Sequence, residues 1–176
     1  MGIQQIKIVE VALADLPILQ EISKRTFYDA FAALNTEENM KFHLANHFTR
    51  EKLSAEILNP DSKIFFAVYK GDPVGYLKIN MGNAQTVLPN DQAVEIERIY
   101  VDRLFKGMGI GKIFISKALE IAFSSHAKYI WLGVWEHNES AIRFYEKNGF
   151  EKYSEHIFKL GDDDQTDLLF KKMLKR

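Results

Sequence analysis

Residues 95–122 form one unit: a strand ending at Val101, a loop with glycines at 107, 109 and 111, and an apolar helix that starts at once. Ile110, Ile113, Phe114, Ala118, Leu119, Ile121 and Ala122 leave that helix little polar circumference, so it must be buried against a sheet. Glycine lets the main chain approach a ligand closely. The unpaired N–H groups of the helix's first turn, with the positive end of its dipole, point at the same place. The expected occupant is an anion, and a phosphate-bearing ligand suits it. Spacing narrows the choice. Lys112 stands where G-x-G-x-x-G needs its third glycine, and Ile113 follows Gly111-Lys112 where a P-loop needs Ser or Thr.

The rest of the chain supplies strands on both sides of that unit. Ile6 and Ile8 read as a short first strand, and Asp15 caps a helix with Pro17 in its first turn. Ile18, Leu19, Ile22, Phe27 and Phe31 form its buried stripe. Thr36 and Thr49 open two further helices, the second stopped by Asn59-Pro60-Asp61. Lys63 to Lys70 and Val74 to Met81 are strands around a Gly71-Asp72-Pro73 turn, and a polar loop from Gly82 to Asp91 leads to the strand ending at Val101. Beyond the apolar helix, Tyr129 to Val134 is a buried strand, and Asn138 to Lys147 a helix closed by Asn148-Gly149. Phe150 to Phe158 and Thr166 to Met173 are the last strands, joined at Gly161-Asp162-Asp163-Asp164. Strand, helix, strand around the glycine loop demands a crossover, so those two strands should be parallel neighbours.

Composition removes several function classes. With 176 residues, 47% of them hydrophobic, the chain suits one domain spanning 1–176. Its formal net charge of -1 leaves no electrostatic footprint for nucleic acid. The absence of cysteine excludes disulfides, thiolate metal sites and a cysteine nucleophile. No charged segment followed by an apolar run opens the chain, and nowhere do 18 consecutive apolar residues occur, so no membrane partner and a cytoplasmic location are expected.

Lys106-Gly107-Met108-Gly109-Ile110-Gly111 resembles the pyrophosphate loop R/Q-x-x-G-x-G/A of the GNAT superfamily of acyl-CoA-dependent N-acetyltransferases, with Lys106 in place of the usual Arg or Gln. Asn138, Ala141, Phe144, Tyr145, Gly149 and Phe150 match a second signature of that family, N-x-x-A-x-x-F-Y-x-x-x-G-F. Thr26 to Phe31, Glu95 to Val101, Trp131 to Asn138 and Gly161 to Asp167 further resemble the PaiA-type bacterial polyamine N-acetyltransferases. The resemblance implies an α/β (α+β) fold, a mixed and mostly antiparallel sheet of about seven strands with helices on both faces. It implies acetyl-CoA as cosubstrate, with a parallel pair around its binding loop, and a primary amine such as spermidine or spermine as acceptor. It also implies a homodimer.

Residue by residue, the resemblance puts Ile99, Tyr100 and Val101, the loop from Lys106 to Gly111, and Asn138 and Tyr145 along the cofactor. Lys112 and Lys147 are further candidates for its phosphates. Asn138 and Tyr145 lie two turns apart on one helix face. Tyr145 would protonate the departing thiolate, a phenol of pKa ~10 being close to matched with a thiol of ~8.5.

An ammonium of pKa ~10.4 has no lone pair to attack a thioester until a proton leaves, so a carboxylate near the acceptor is wanted. Glu95 and Glu97 share a strand face and fill that place, Glu97 binding the cation and relaying its proton. Tyr28, beside Phe27 and Phe31, is a candidate wall of the acceptor pocket. His43 and His47 stand four apart but lack the glutamate of H-E-x-x-H, and Asp162-Asp163-Asp164 lacks the spaced ligands of a calcium loop, so no metal is expected. A regulator that binds acetyl-CoA without turnover is the alternative from another class. Another small amine or a protein N-terminus is the alternative acceptor.

Overall fold

In β2 (Ser62–Tyr69), Ile64 and Phe66 go to one side while Phe65, Ala67 and Tyr69 go to the other, and all five are buried. A strand apolar on both faces needs cover on both. The structure, a computed structural model that describes residues 5–87, 90–160 and 163–175, supplies that cover as three layers. On one face, α1 (Leu16–Phe31), α2 (Glu37–His47) and α3 (Arg50–Leu58) bury Leu19, Phe27, Met40 and Leu53 against Ile64, Phe66 and Tyr76. On the other, α4 (Ile110–Ser124) and α5 (Glu139–Lys147) bury Phe114, Ala118 and Tyr145 against Leu77, Val94 and Ile130.

The sheet adds β1 (Ile6–Glu10), β3 (Asp72–Asn80), β4 (Ala93–Val101), β5 (Tyr129–Trp135), β6 (Glu151–Leu160) and β7 (Asp163–Met173), in the order β1-β2-β3-β4-β5-β7-β6. Neighbours run antiparallel except β4 and β5, which are parallel and joined through α4, the crossover expected from the sequence.

Two irregularities in β4 open the middle of the sheet. Its pairing with β5 runs only from Ala93↔Tyr129 to Ile96↔Leu132, after which the strands part. Its pairing with β3 slips at the same point, from Ile79↔Ile96 to Lys78↔Arg98, which leaves Glu97 as the extra residue of a bulge. The bulge shifts the alternation by one. Ile96 and Ile99 both pack towards α4 and α5, while Tyr100 joins the α1–α3 side.

Several local expectations are corrected. The β2–β3 turn is Lys70-Gly71, with φ of 52° and 99°, so β3 begins at Asp72, and Pro73 sits opposite Val68 where the ladder is irregular. Asp15 precedes α1 as expected, but its carboxylate turns back to accept from the Ala12 N–H at 2.9 Å. Thr36 and Thr49 do cap α2 and α3, accepting from Asn39 and Lys52 N–H groups at 3.2 Å. The α1 stripe is Leu19, Ile22, Ser23, Thr26 and Phe27, so Ile18 falls at its edge and is exposed. Asp163 and Asp164 belong to β7, and Gly161 and Asp162 lie outside the described residues.

Candidate active site

The glycine loop has the geometry an anion needs. Gly107 and Gly109 have φ of 80° and 83°, a left-handed conformation that side chains resist. Gly109 is the N-cap of α4, and the N–H groups of Gly107, Gly109, Ile110 and Gly111 make no hydrogen bond among the described residues. Gly111 has a different reason: a Cβ there would come within 3.0 Å of the Phe144 ring. That close approach seats the loop beside α5. Lys106, Lys112 and Lys147 are exposed and form no ion pair among the described residues, which leaves their charges available to phosphate.

From α5 the site continues into a cavity of about 320 Å³ where β4 and β5 part. Asn138, Ala141 and Tyr145 of α5 line it together with Glu95 to Tyr100 of β4. The Asn138 Oδ1 caps α5 by accepting from the Ala141 N–H at 3.2 Å, which leaves its amide N–H groups for a ligand. Tyr145 is buried, and its hydroxyl has no hydrogen bond among the described residues. Burial holds that phenol above its ordinary pKa, so it stays protonated at neutral pH, and the same shift makes it a weaker acid than the near match with a thiol expected from the sequence.

The opposite wall is aromatic and acidic. Phe27 and Phe31 of α1, His43 and His47 of α2, and Trp131 and Trp135 of β5 face Glu95, Glu97 and Asp167. Phe27, His43 and His47 stack in a column with ring centroids 4.3 and 4.1 Å apart. Trp131 is fixed by its indole N–H, which donates to the Gln85 Oε1 at 2.7 Å. No cluster of metal-ligating side chains exists among the described residues.

Glu95 and Glu97 do share a face, and one side chain bridges them. Asn80 Nδ2 donates to Glu95 at 3.1 Å and to Glu97 at 2.6 Å. Their environments nevertheless differ. Burial pushes Glu95 upward, against hydrogen bonds from Thr86 and Asn80 that pull the other way. For Glu97 burial also works upward, but Arg98 at 2.9 Å and Lys78 at 2.6 Å prevail and hold it below its ordinary value. Glu56 completes a part-buried four-charge network, with a two-pronged bond to Arg98 at 2.8 and 2.9 Å and a bond to Lys78 at 2.9 Å. A carboxylate neutralised by two cations is a poor proton acceptor. This corrects the expectation that Glu97 relays the acceptor's proton, and the cause is a pair of cations whose arrival depends on the bulge and on α3.

Of the other expected residues, Ile99 and Tyr100 line the cavity. Val101 packs against the α4 side instead, paired with Gly75. Met108 packs against the same core, with its N–H donating to the Phe105 carbonyl at 3.4 Å, and Ile110 is buried in it, so Ile110 contributes main chain rather than side chain to the loop. Tyr28 is corrected: it is 48% exposed and absent from the lining, because its neighbours Phe27 and Phe31 occupy the inward face of α1. Sequence reasoning missed Asp167, Gly133, Trp135 and the Lys78–Arg98 pair. A signal existed for Asp167, which shares a strand face with the buried Gln165 and Leu169.

Among the described residues, no helix is long and apolar enough to cross a membrane. The family model of the acetyltransferase (GNAT) family matches residues 19–150. An uncharacterized N-acetyltransferase in the pepI 3′ region of Lactobacillus delbrueckii subsp. lactis is 42% identical over 169 residues, 96% of this chain and 98% of that protein. The spermidine N(1)-acetyltransferase of Thermoplasma acidophilum is 23% identical over 171 residues, 95% of this chain and 96% of that one. The crystal structure of PaiA N-acetyltransferase from Thermoplasma acidophilum in complex with coenzyme A superposes with a TM-score of 0.79 at 22% identity, covering 96% of this chain and 99% of that one.

Proposed function

The chain belongs to the acetyltransferase (GNAT) family, an acetyl-CoA-dependent N-acetyltransferase, and from that premise we propose that its acceptor is a primary amine of the polyamine class, spermidine or spermine. The observation that carries the proposal is the junction of two features. A glycine loop with free N–H groups opens α4 beside a parting of β4 and β5, and that parting leads straight into a cavity with three carboxylates and aromatic walls. Distant relatives named as spermidine and spermine acetyltransferases support the same acceptor.

The residues divide the work. Main-chain N–H groups of Gly107, Gly109, Ile110 and Gly111 hold the diphosphate, with Lys106 nearest and Lys112 and Lys147 adding charge. Asn138 meets the pantetheine arm with its free amide N–H groups. The edge of β4 at Ile99 to Val101, released from β5, offers main-chain donors to the thioester carbonyl. When bound, acetyl-CoA supplies an activated acyl group and a thiolate leaving group. Tyr145 donates its proton to the sulfur as it leaves. Glu95 lines the acceptor cavity, where the ring faces of Phe27, Phe31 and Trp135 accept the alkyl segments and cations of an extended amine. The amine attacks directly, with both substrates bound. The proposed assembly is a homodimer and the proposed location the cytoplasm.

Thiol release from acetyl-CoA, measured with spermidine, spermine, simple monoamines and a peptide N-terminus, tests this reading. Turnover should be fastest with the polyamines. Tyr145→Phe should lower kcat by ~100-fold while the KM for acetyl-CoA hardly moves. No thiol release with any amine, from protein that still binds coenzyme A, would overturn it.

A further inference from the structure

The three carboxylates of the acceptor cavity are sorted by their neighbours. Glu95 accepts from Thr86 through both its N–H and its hydroxyl and from Asn80, and Glu97 is held by Asn80, Lys78 and Arg98. Asp167 is held by nothing comparable, having no hydrogen bond or ion pair within reach among the described residues. It stands on β7 opposite both Trp135 of β5 and His156 of β6. Directly opposed residues share a sheet face, so Asp167 and Trp135 lie side by side.

Two neighbours define this corner of the cavity. At Gly133 a Cβ would stand 3.4 Å from the Asp167 Oδ2, so the missing side chain keeps the space over the carboxylate open. The Trp135 indole N–H is buried and has no partner among the described residues. Buried polar groups are almost always satisfied. The Asp167 carboxylate is therefore an unmatched acceptor lining the cavity, and a cationic donor such as an ammonium is the group that completes it.

We propose that Asp167 seats the acceptor's reacting ammonium and takes up its proton, and that Asp167, rather than Glu97, is the base of the reaction. The inference rests on the transferase reading given under Proposed function. The ammonium gives one proton to the Asp167 carboxylate, and the freed nitrogen lone pair forms the bond to the acetyl carbon. The bond from that carbon to sulfur breaks, and sulfur takes its proton from Tyr145. The second proton on the new amide nitrogen leaves to solvent, as does the one held by Asp167, and Tyr145 is reprotonated. Burial raises Asp167 to about 6, with His156 pulling the other way, and a base poised near neutrality is the efficient kind. The other titratable groups around the cavity are Glu95, Glu97, Arg98 and Tyr100 from β4, His43 and His47 from α2, and Tyr145 from α5.

Asp167→Asn keeps the shape of the side chain and removes its charge. Spermidine binding to the coenzyme A-loaded protein, measured by calorimetry, should weaken at least ~10-fold, and kcat/KM for spermidine should fall ~100-fold with the KM for acetyl-CoA unchanged. The wild-type kcat/KM should rise with pH through about 6, and the variant should lack that limb. Equal spermidine affinity in the two proteins, or no binding by the wild type, overturns the seat. Turnover by the variant within threefold of wild type, with the acid limb intact, overturns the base. Weakened binding in the variant with no thiol release from either protein would support the seat and remove both the base and the transferase reading.

Discussion

Where a diphosphate would lie, the protein presents main-chain N–H groups from one short stretch, residues 107 to 111, set by two left-handed glycines and one close helix contact. Where an acceptor amine would lie, it presents side chains from α1, α2, β4, β5, β6 and β7, including three copies of the same chemical group. The first region has one way to work. In the second, identical carboxylates differ because of what stands next to them: Glu97 is paired with two cations, Glu95 is buried and held by hydrogen bonds, and Asp167 is the one left open. A backbone site is therefore fixed by local conformation, and a side-chain site by long-range packing.

The sharpest way to break this contrast is to remove a counter-ion. Arg98 carries bonds to both Glu56 and Glu97 and covers the Phe48 ring with its centre 5.3 Å away. Arg98→Met keeps the contact with the ring and leaves two carboxylates sharing Lys78. Removing one partner of a fully buried pair costs about 3–5 kcal/mol, and this part-buried network falls below that, which should lower Tm by roughly 5–10 °C in a chain of this size. Coenzyme A affinity of the folded variant should stay close to wild type. If Tm is unchanged, the network does not brace the acceptor region, and Glu97 returns as a candidate base.

The same contrast explains what can be read from the sequence. Lys106 to Gly111 and Asn138 to Tyr145 are contiguous, and their spacing encodes the local geometry, so both the glycine loop with its facing helix and the β4–α4–β5 crossover are legible. The face shared by Glu95 and Glu97 follows from strand alternation. The bulge at Glu97 is not legible, since no residue there departs from an ordinary strand pattern and only pairing with β3 reveals it. Arg98 and Lys78 likewise meet Glu97 through a fold contact and not through spacing. Asp167 stands out in the sequence only as the end of the Gly161 to Asp167 stretch. Its place in the cavity depends on β7 lying between β5 and β6, an order that chain sequence does not dictate.

Gly109→Val tests the backbone half with a smaller effect. At φ of 83° a β-branched residue is strained by about 1–3 kcal/mol, so the loop would relax away from its present shape. The Kd for coenzyme A, read by calorimetry, should rise roughly 10-fold to 100-fold. Spermidine affinity measured without coenzyme A should not change, because no acceptor side chain comes from this loop. A variant that binds coenzyme A as the wild type does would show that side chains, not main-chain amides, hold the diphosphate.

The smallest expected effect concerns a titration that the acceptor region has and the glycine loop lacks. His43 is 5% exposed, stacked between Phe27 and His47, and burial, helped by the nearby His47, Arg98 and Lys52, lowers its pKa from 6.5 to about 3. The unfolded chain therefore binds a proton below pH 6.5 that the folded chain refuses until about 3, so His43 contributes nothing above 6.5 and costs stability progressively below it. Asp167 opposes this in part, since its folded pKa of about 6 lies above the unfolded 3.8 and so favours the folded state as pH falls through 6. Comparing wild type with His43→Phe cancels that contribution and keeps the stack. Between pH 7 and 5.5 the stability difference, from urea midpoints, should move by about 1 kcal/mol in favour of the variant. A difference that stays constant over that range would mean that His43 is free to protonate in the folded protein, and that the aromatic column is open to solvent instead of forming a dry wall of the cavity.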